Sequence, residues 1–276
     1  MKKVRIKYSK LSQLKNLTNR EMDLFLYLAR YQNLAGQVVG VHNRAVCRST
    51  GMCKQSFYTS LYSLAEKGVI SYAKNTEIDY DVQITDNDFS YPEAFREGYV
   101  NLHRAVFHQD IFKKLKANEK YMLFEFLKRT HENSSSYKVR TYRFYDIFTE
   151  LLGVTGRVIR CYLHTLRHFF SVGIKNGIYY ITYKHSVFHR KEKKGVEDTE
   201  FQYFVEVQCR RERIREWKEE EVANTSWLLK QYRPVVQLQE LKQLLKEAVH
   251  KSVTGVEADC RTLNSRYIHT ILKTLI

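Results

Sequence analysis

The clearest alternation of apolar and polar positions lies between Val46 and Ile84. After Gly51, the residues Phe57, Leu61 and Leu64 recur at four- and three-residue steps, which places them on one face of a helix. Lys54, Gln55, Ser56, Tyr58, Thr59 and Tyr62 fall between them, and each carries a hydrogen-bonding group. Gly51 supplies a corner to a preceding short helix that Asn43 opens. Beyond Gly68 come two β-type runs, Val69 to Tyr72 and Tyr80 to Ile84, with a turn expected at Lys74 and Asn75. Upstream, Thr18 and Glu21 have the spacing of a capping box. A helix is therefore expected to start there, with Met22, Phe25, Leu26, Leu28 and Ala29 as its apolar face. The chain then loosens around Gly36 and Gly40, and Thr85 to Gly98 reads as a connector.

A second block repeats the first. Leu24 to Arg30 matches Leu123 to Arg129 at an offset of 99 residues (24 to 123). Gly51, Phe57, Leu61 and Leu64 match Gly153, Ile159, Leu163 and Leu166 at an offset of 102 (51 to 153), a difference that a loop absorbs. Gly173 to Ile181 then reads as two β-runs around Lys175, Asn176 and Gly177, a hairpin signal. From Lys184 to Gly195 the chain is a basic link containing Arg190, Lys191, Lys193 and Lys194. From about Glu200 it is helical in pattern, divided by Pro234. The charged run Arg210 to Glu221 predicts a solvated helix. Four segments follow: 1–90, 99–184, a linker 185–199 and a helical region 200–276.

Composition narrows the class. The chain has 276 residues, 43% apolar, enough for two compact domains and a tail. Its 46 Lys and Arg against 30 Asp and Glu give +16, which favours a polyanionic partner such as nucleic acid. Five scattered cysteines without a Cys-x-x-Cys pair argue against a disulfide framework and a zinc site, and fit a reducing cytoplasm. The basic start is not followed by an apolar run of signal length, and no membrane segment is expected.

The pattern Thr50-Gly51-Met52-x-Lys54-Gln55-Ser56-Phe57, followed by Leu61-x-x-Leu64-x-x-Lys67-Gly68-Val69-Ile70, resembles the recognition helix and wing of bacterial winged-helix regulators. The resemblance occurs twice, at Leu17 to Ile84 and about Asn118 to Tyr183, a little over half of the chain. It implies a mainly α fold with small β-wings, two tandem winged-helix domains plus a helical C-terminal region. It also implies contacts to double-stranded DNA by Lys54, Gln55, Ser56, Tyr58 and Thr59, with Lys74 on the wing. The matching positions of the second copy are Arg157, Arg160, Cys161 and His164, with Lys175 on its wing. There Gly156 departs from the pattern and no amide is available to read bases. The chemistry of the first copy agrees: Lys54 suits a guanine edge or a phosphate, Gln55 suits adenine, and Ser56, Tyr58 and Thr59 suit phosphates.

The function expected is sequence-specific double-stranded DNA binding by a transcription regulator, with no catalysis and no cofactor. The alternative is a replication-initiation protein. Paired winged helices resemble plasmid initiators, and Leu263 to Leu272 is similar to the closing segment of DnaD-like primosome proteins, although it lacks their following tryptophan. A protein-interaction scaffold is a third reading. The tail's amphipathic end (Tyr267, Ile268, Ile271, Leu272, Leu275) is expected to pack on the tail or to form a homodimer through the C-terminal helices. His164 to His168 resembles the His-x-x-Arg box of tyrosine recombinases, with His185 and Tyr203 downstream, but a hairpin rather than a helix is expected after it. Phosphate-loop and metalloprotease motifs are absent from the sequence. Cys53 stands where Ser or Thr would cap the helix, and is either a redox-sensitive thiol or simply a small residue at a helix start.

Overall fold

The computed structural model describes residues 3–76, 79–132, 136–188, 196–215 and 217–276. They are mostly helical, with three small sheets. The first half runs β1 (Lys3–Lys7), α1 (Tyr8–Leu11), a 3-10 turn, α2 (Asn19–Tyr31), β2 (Gln37–His42), α3 (Asn43–Thr50), α4 (Lys54–Glu66), β3 (Ile70–Thr76) and β4 (Asp79–Ile84). The second runs β5 (Tyr99–His103), α5 (Ala105–His108), α6 (Asp110–Lys114), α7 (Ala117–Glu132), β6 (Ser136–Arg140), α8 (Thr141–Leu152), α9 (Gly156–Leu166), β7 (Phe170–Lys175) and β8 (Ile178–Tyr183). From α2 and from α7 onward the order is the same, and so are the strand orders, β2-β4-β3 and β6-β8-β7.

Thr18 caps α2 as its sequence requires. Its side chain accepts from the Glu21 amide, and Glu21 accepts from the Thr18 amide at 2.7 Å. Glu21 also accepts from Ser63 and, at 2.8 Å, from Lys67, which ties the start of α2 to the end of α4. Phe57, Leu61 and Leu64 of α4 are buried with Met22, Phe25 and Leu28 of α2. In the second half Ile159, Leu163 and Leu166 are buried, and Phe126 packs on Phe144, Phe148 and Phe170 at centroid distances of 5.2–6.1 Å. Full burial of each such side chain contributes about 1.5–3 kcal/mol.

The halves meet like with like. β1 pairs antiparallel with β5, Arg5 opposite Asn101. At the first residues of α2 and α7, Asn19 accepts from the Ala117 amide at 2.7 Å, and nearby Lys120 pairs with Asp23.

The chain divides into two compact units. One comprises the described residues of Met1–Val38, Asn43–Ala73 and Val82–Lys191; the other comprises Val39–His42 and the described residues of Lys74–Asp81 and Glu192–Ile276. α10 (His185–Phe188) closes the second half. The tail is α11 (Val196–Arg211), α12 (Glu219–Tyr232), α13 (Leu238–Val253) and α14 (Ser265–Leu275) around Val205, Cys209, Leu229, Leu245, Val249, Ile268 and Leu272. In the same unit, α11 grips strand ends: Arg211 pairs with Asp79 at 2.9 Å and Asp81 at 2.6 Å, and Tyr203 donates to the Gly40 carbonyl at 2.9 Å.

Several expectations need correction. No turn occurs at Lys74 and Asn75, because β3 continues to Thr76. The loosened stretch at Gly36 and Gly40 is strand β2 from Gln37, with Gly40 at φ +72° where a Cβ would strike Val207. Arg210 to Glu221 is not a solvated helix. α11 ends at Arg211, Arg213 adopts φ +57°, Arg210 is buried and Arg211 is ion-paired. β1, β5 and β6 are short strands that the residue pattern does not announce. The Asn176–Gly177 turn forms as expected, both residues at positive φ. Arg190, Lys191, Lys193 and Lys194 lie outside the described residues. Among the described residues no helix is long and apolar enough to cross a membrane.

Candidate nucleic-acid interface

α4 begins at a corner that only a left-handed residue closes neatly: Gly51 has φ +71° and open space where a side chain would go. Cys53 caps the helix, its sulfur accepting from the Ser56 amide at 3.5 Å and lying 3.2 Å from the Ser56 hydroxyl. Those bonds from Ser56 hold the exposed thiol below its ordinary pKa. The first turns of α4 and α9 contain no acid, so the positive end of each helix dipole is left uncompensated.

On α4, Lys54, Gln55 and Thr59 are exposed. Ser56 is half-buried and occupied with the cap. Tyr58 is half-buried, with its hydroxyl accepting from the Asn43 side chain at 3.0 Å. Of the expected contacts on α4 this leaves Lys54, Gln55 and Thr59 outward, with Tyr62 exposed beyond them, while Tyr58 is fixed in place. Lys74 is exposed on β3.

On α9, Arg157, Arg160, Cys161 and His164 are all exposed, and Lys175 is exposed at the end of β7. Arg160 is steered by α8: its guanidinium lies 5.9 Å from the centre of the Tyr145 ring, and Tyr145 and Tyr179 share a 3.0 Å hydroxyl contact. Burial raises the Tyr145 hydroxyl, but Tyr179 and Arg160 outweigh it and hold it below the ordinary phenol range. Tyr179 is pushed up to about 12 by burial and by Tyr145. The His164 to His168 box is followed by β7; Leu166 within it and Leu163 just before it are buried and serve the core, while His164, Arg167 and His168 are exposed.

Sequence reasoning overlooked further exposed cations. Arg44 and Arg48 lie on α3, Lys138 and Arg140 on β6, and Arg143 on α8; Glu66, Asp146 and Glu150 are the exposed acids on α4 and α8. The β6 cations escaped notice because the strand itself did. Among the described residues no cluster of His, Cys, Asp or Glu is suited to a metal. The surface as built can donate hydrogen bonds from a helix to base edges and present cations to phosphates. The chain matches no protein-family model, and comparisons with curated proteins and with solved structures find no match.

Proposed function

We propose that each half is a winged helix and that the protein binds double-stranded DNA in a sequence-specific manner, as a regulator of transcription. One observation carries the reading. The same α-β-α-α-β-β order is built twice, and each time the second helix of the corner is anchored by one apolar face and turns an acid-free first turn and polar or basic side chains to solvent. In this reading α4 reads bases through Lys54 and Gln55, and α9 holds phosphates through Arg157 and Arg160, with Lys74 and Lys175 on the wings.

A replication initiator is a second reading. It is favoured by the presence of α2, α4, α7 and α9 in one compact unit, which lets a single chain occupy each copy of a repeated origin site. Mapping bound sites across a genome distinguishes promoters from origins. In vitro, Lys54→Ala with Gln55→Ala is expected to reduce the ratio of site to non-site affinity by about tenfold or more. Wild-type affinity and unchanged discrimination in that double variant would remove α4 from the reading role.

A further inference from the structure

Three tyrosines form a row across the outer side of α4 and onto β3. Tyr58 and Tyr62 are stacked, with ring centroids 6.4 Å apart and planes at 22°, and Tyr62 meets Tyr72 at 6.0 Å and 46°. The row is braced at one end, where Phe57 meets Tyr58 edge-on at 5.1 Å and Asn43 donates to its hydroxyl. Tyr62 is 50% and Tyr72 37% exposed. Exposed apolar residues scattered singly are ordinary; these rings instead contact one another, Tyr58 and Tyr62 near-parallel on the helix and Tyr72 tilted against Tyr62 from the strand. Lys54 lies one turn before Tyr58, and Arg44 follows Asn43; both are exposed, and the exposed acid of α4, Glu66, lies one turn beyond Tyr62 at the opposite end.

Ring faces are poorly suited to a duplex, whose bases are already stacked and offer only their edges in the grooves. They suit unpaired bases, each of which has a face free to stack, while neighbouring cations take the phosphates. The second half lacks the row. At the matching offset of 102, Arg160 and His164 replace Tyr58 and Tyr62 (58 to 160, 62 to 164). The mutually contacting row on the outer helix is therefore confined to the first half, and the matching positions of α9 carry an arginine and a histidine.

We propose that the Tyr58–Tyr62–Tyr72 row is a binding site for single-stranded DNA, with unpaired bases stacking on Tyr62 and Tyr72 and with Lys54 and Arg44 taking the adjoining phosphates. The proposal rests on the DNA-binding reading above and extends it from duplex to opened strands. Only the first half makes this contact.

The test uses the full chain and fluorescence anisotropy with three probes: an oligodeoxythymidylate of about 16 nucleotides, an oligouridylate of the same length, and a mixed-sequence duplex. Tyr62→Leu with Tyr72→Leu is expected to weaken oligodeoxythymidylate binding by about tenfold or more, with duplex binding changed by less than about twofold. Tyr62→Phe with Tyr72→Phe, which keeps both rings, is expected to bind the single strand as the parent does. The proposal is overturned by a parent that binds duplex but no single strand, by tighter binding to oligouridylate, by equal losses on strand and duplex, by no loss in the Leu pair, or by a loss in the Phe pair. Failure of the parent to bind any of the three probes removes the DNA-binding reading itself.

Discussion

Arg211 offers the sharpest test of how the tail is held. Its Nε lies 2.9 Å from Asp79 and its Nη2 2.6 Å from Asp81. The Asp79 side chain is 0% exposed, and its other oxygen has no hydrogen-bond partner, so the guanidinium is what offsets burial of that charge. Asp81 is 37% exposed and its pair is worth only about 0–1 kcal/mol. Removing one partner from a buried pair costs about 3–5 kcal/mol, because the other charge is left uncompensated. Arg211→Ala is therefore expected to destabilise this unit by about 3–5 kcal/mol. In an Asp79→Asn background the same change should cost about 1 kcal/mol, giving a coupling of at least about 2 kcal/mol. Both tryptophans, Trp217 and Trp227, are in the tail, so urea unfolding followed by tryptophan emission reports on this unit. At an m-value of about 1–3 kcal/mol/M the midpoint should fall by at least about 1 M. A loss below about 1 kcal/mol in the parent background, or additive costs in the cycle, would show that the Asp79 charge is compensated elsewhere and refute the reasoning.

Other expectations follow from single positions. Gly40→Ala should cost about 1–3 kcal/mol from its positive φ alone, plus a clash with Val207; Val207→Ala should recover only the clash, as read by thermal unfolding. Burial raises the Glu21 carboxyl, but Lys67, Ser63 and the Thr18 amide outweigh it, so its folded pKa lies below the ordinary 4.5. Its stabilisation is complete above pH 4.5 and is lost as pH falls through the folded value. Glu21→Gln should thus lower stability at neutral pH by about 1–3 kcal/mol, and the gap should narrow in acid; a gap independent of pH would contradict the assignment. Arg157→Ala with Arg160→Ala should reduce the slope of log affinity against log salt for duplex DNA by about 2, measured by anisotropy titration, and an unchanged slope would take α9 off the phosphates.

How much of this was legible in the sequence depended on whether the signal was local. The α2 cap, the apolar faces of α4 and α9, the Asn176–Gly177 turn and the exposure of Lys54, Gln55, Arg157 and Arg160 all follow from spacings within one or two turns. Short strands did not announce themselves. β1, β5 and β6 are five residues each, and their role depends on a partner far away in the chain, as when Val4 lies opposite Leu102. The run from Arg210 was misleading for the same reason: a dense mixture of charges reads as solvated surface until Asp79, more than a hundred residues earlier, is found against Arg211. Tyr62 and Tyr72 were legible singly, but their contact exists only once α4 and β3 are placed side by side.

Carrying the doubled motif on one chain changes what each half must satisfy. In a symmetric dimer every interface residue serves both sides, so a patch has to be complementary to itself. Here like elements meet, β1 with β5 and the start of α2 with the start of α7, but the residues differ: Arg5 faces Asn101, and Asp23 pairs with Lys120. Each side is free to specialise because neither has to match its own copy. The outer helices follow the same logic. Lys54, Gln55, Tyr58 and Tyr62 on α4 stand where α9 has Gly156, Arg157, Arg160 and His164, so one helix carries an amide and ring faces and the other is cationic. In the DNA-binding reading proposed above, a partner that both helices touch would therefore have two unlike ends, with its base edges under α4 and its phosphates under α9. This asymmetry is a consequence of the covalent link, since two identical chains could not hold it.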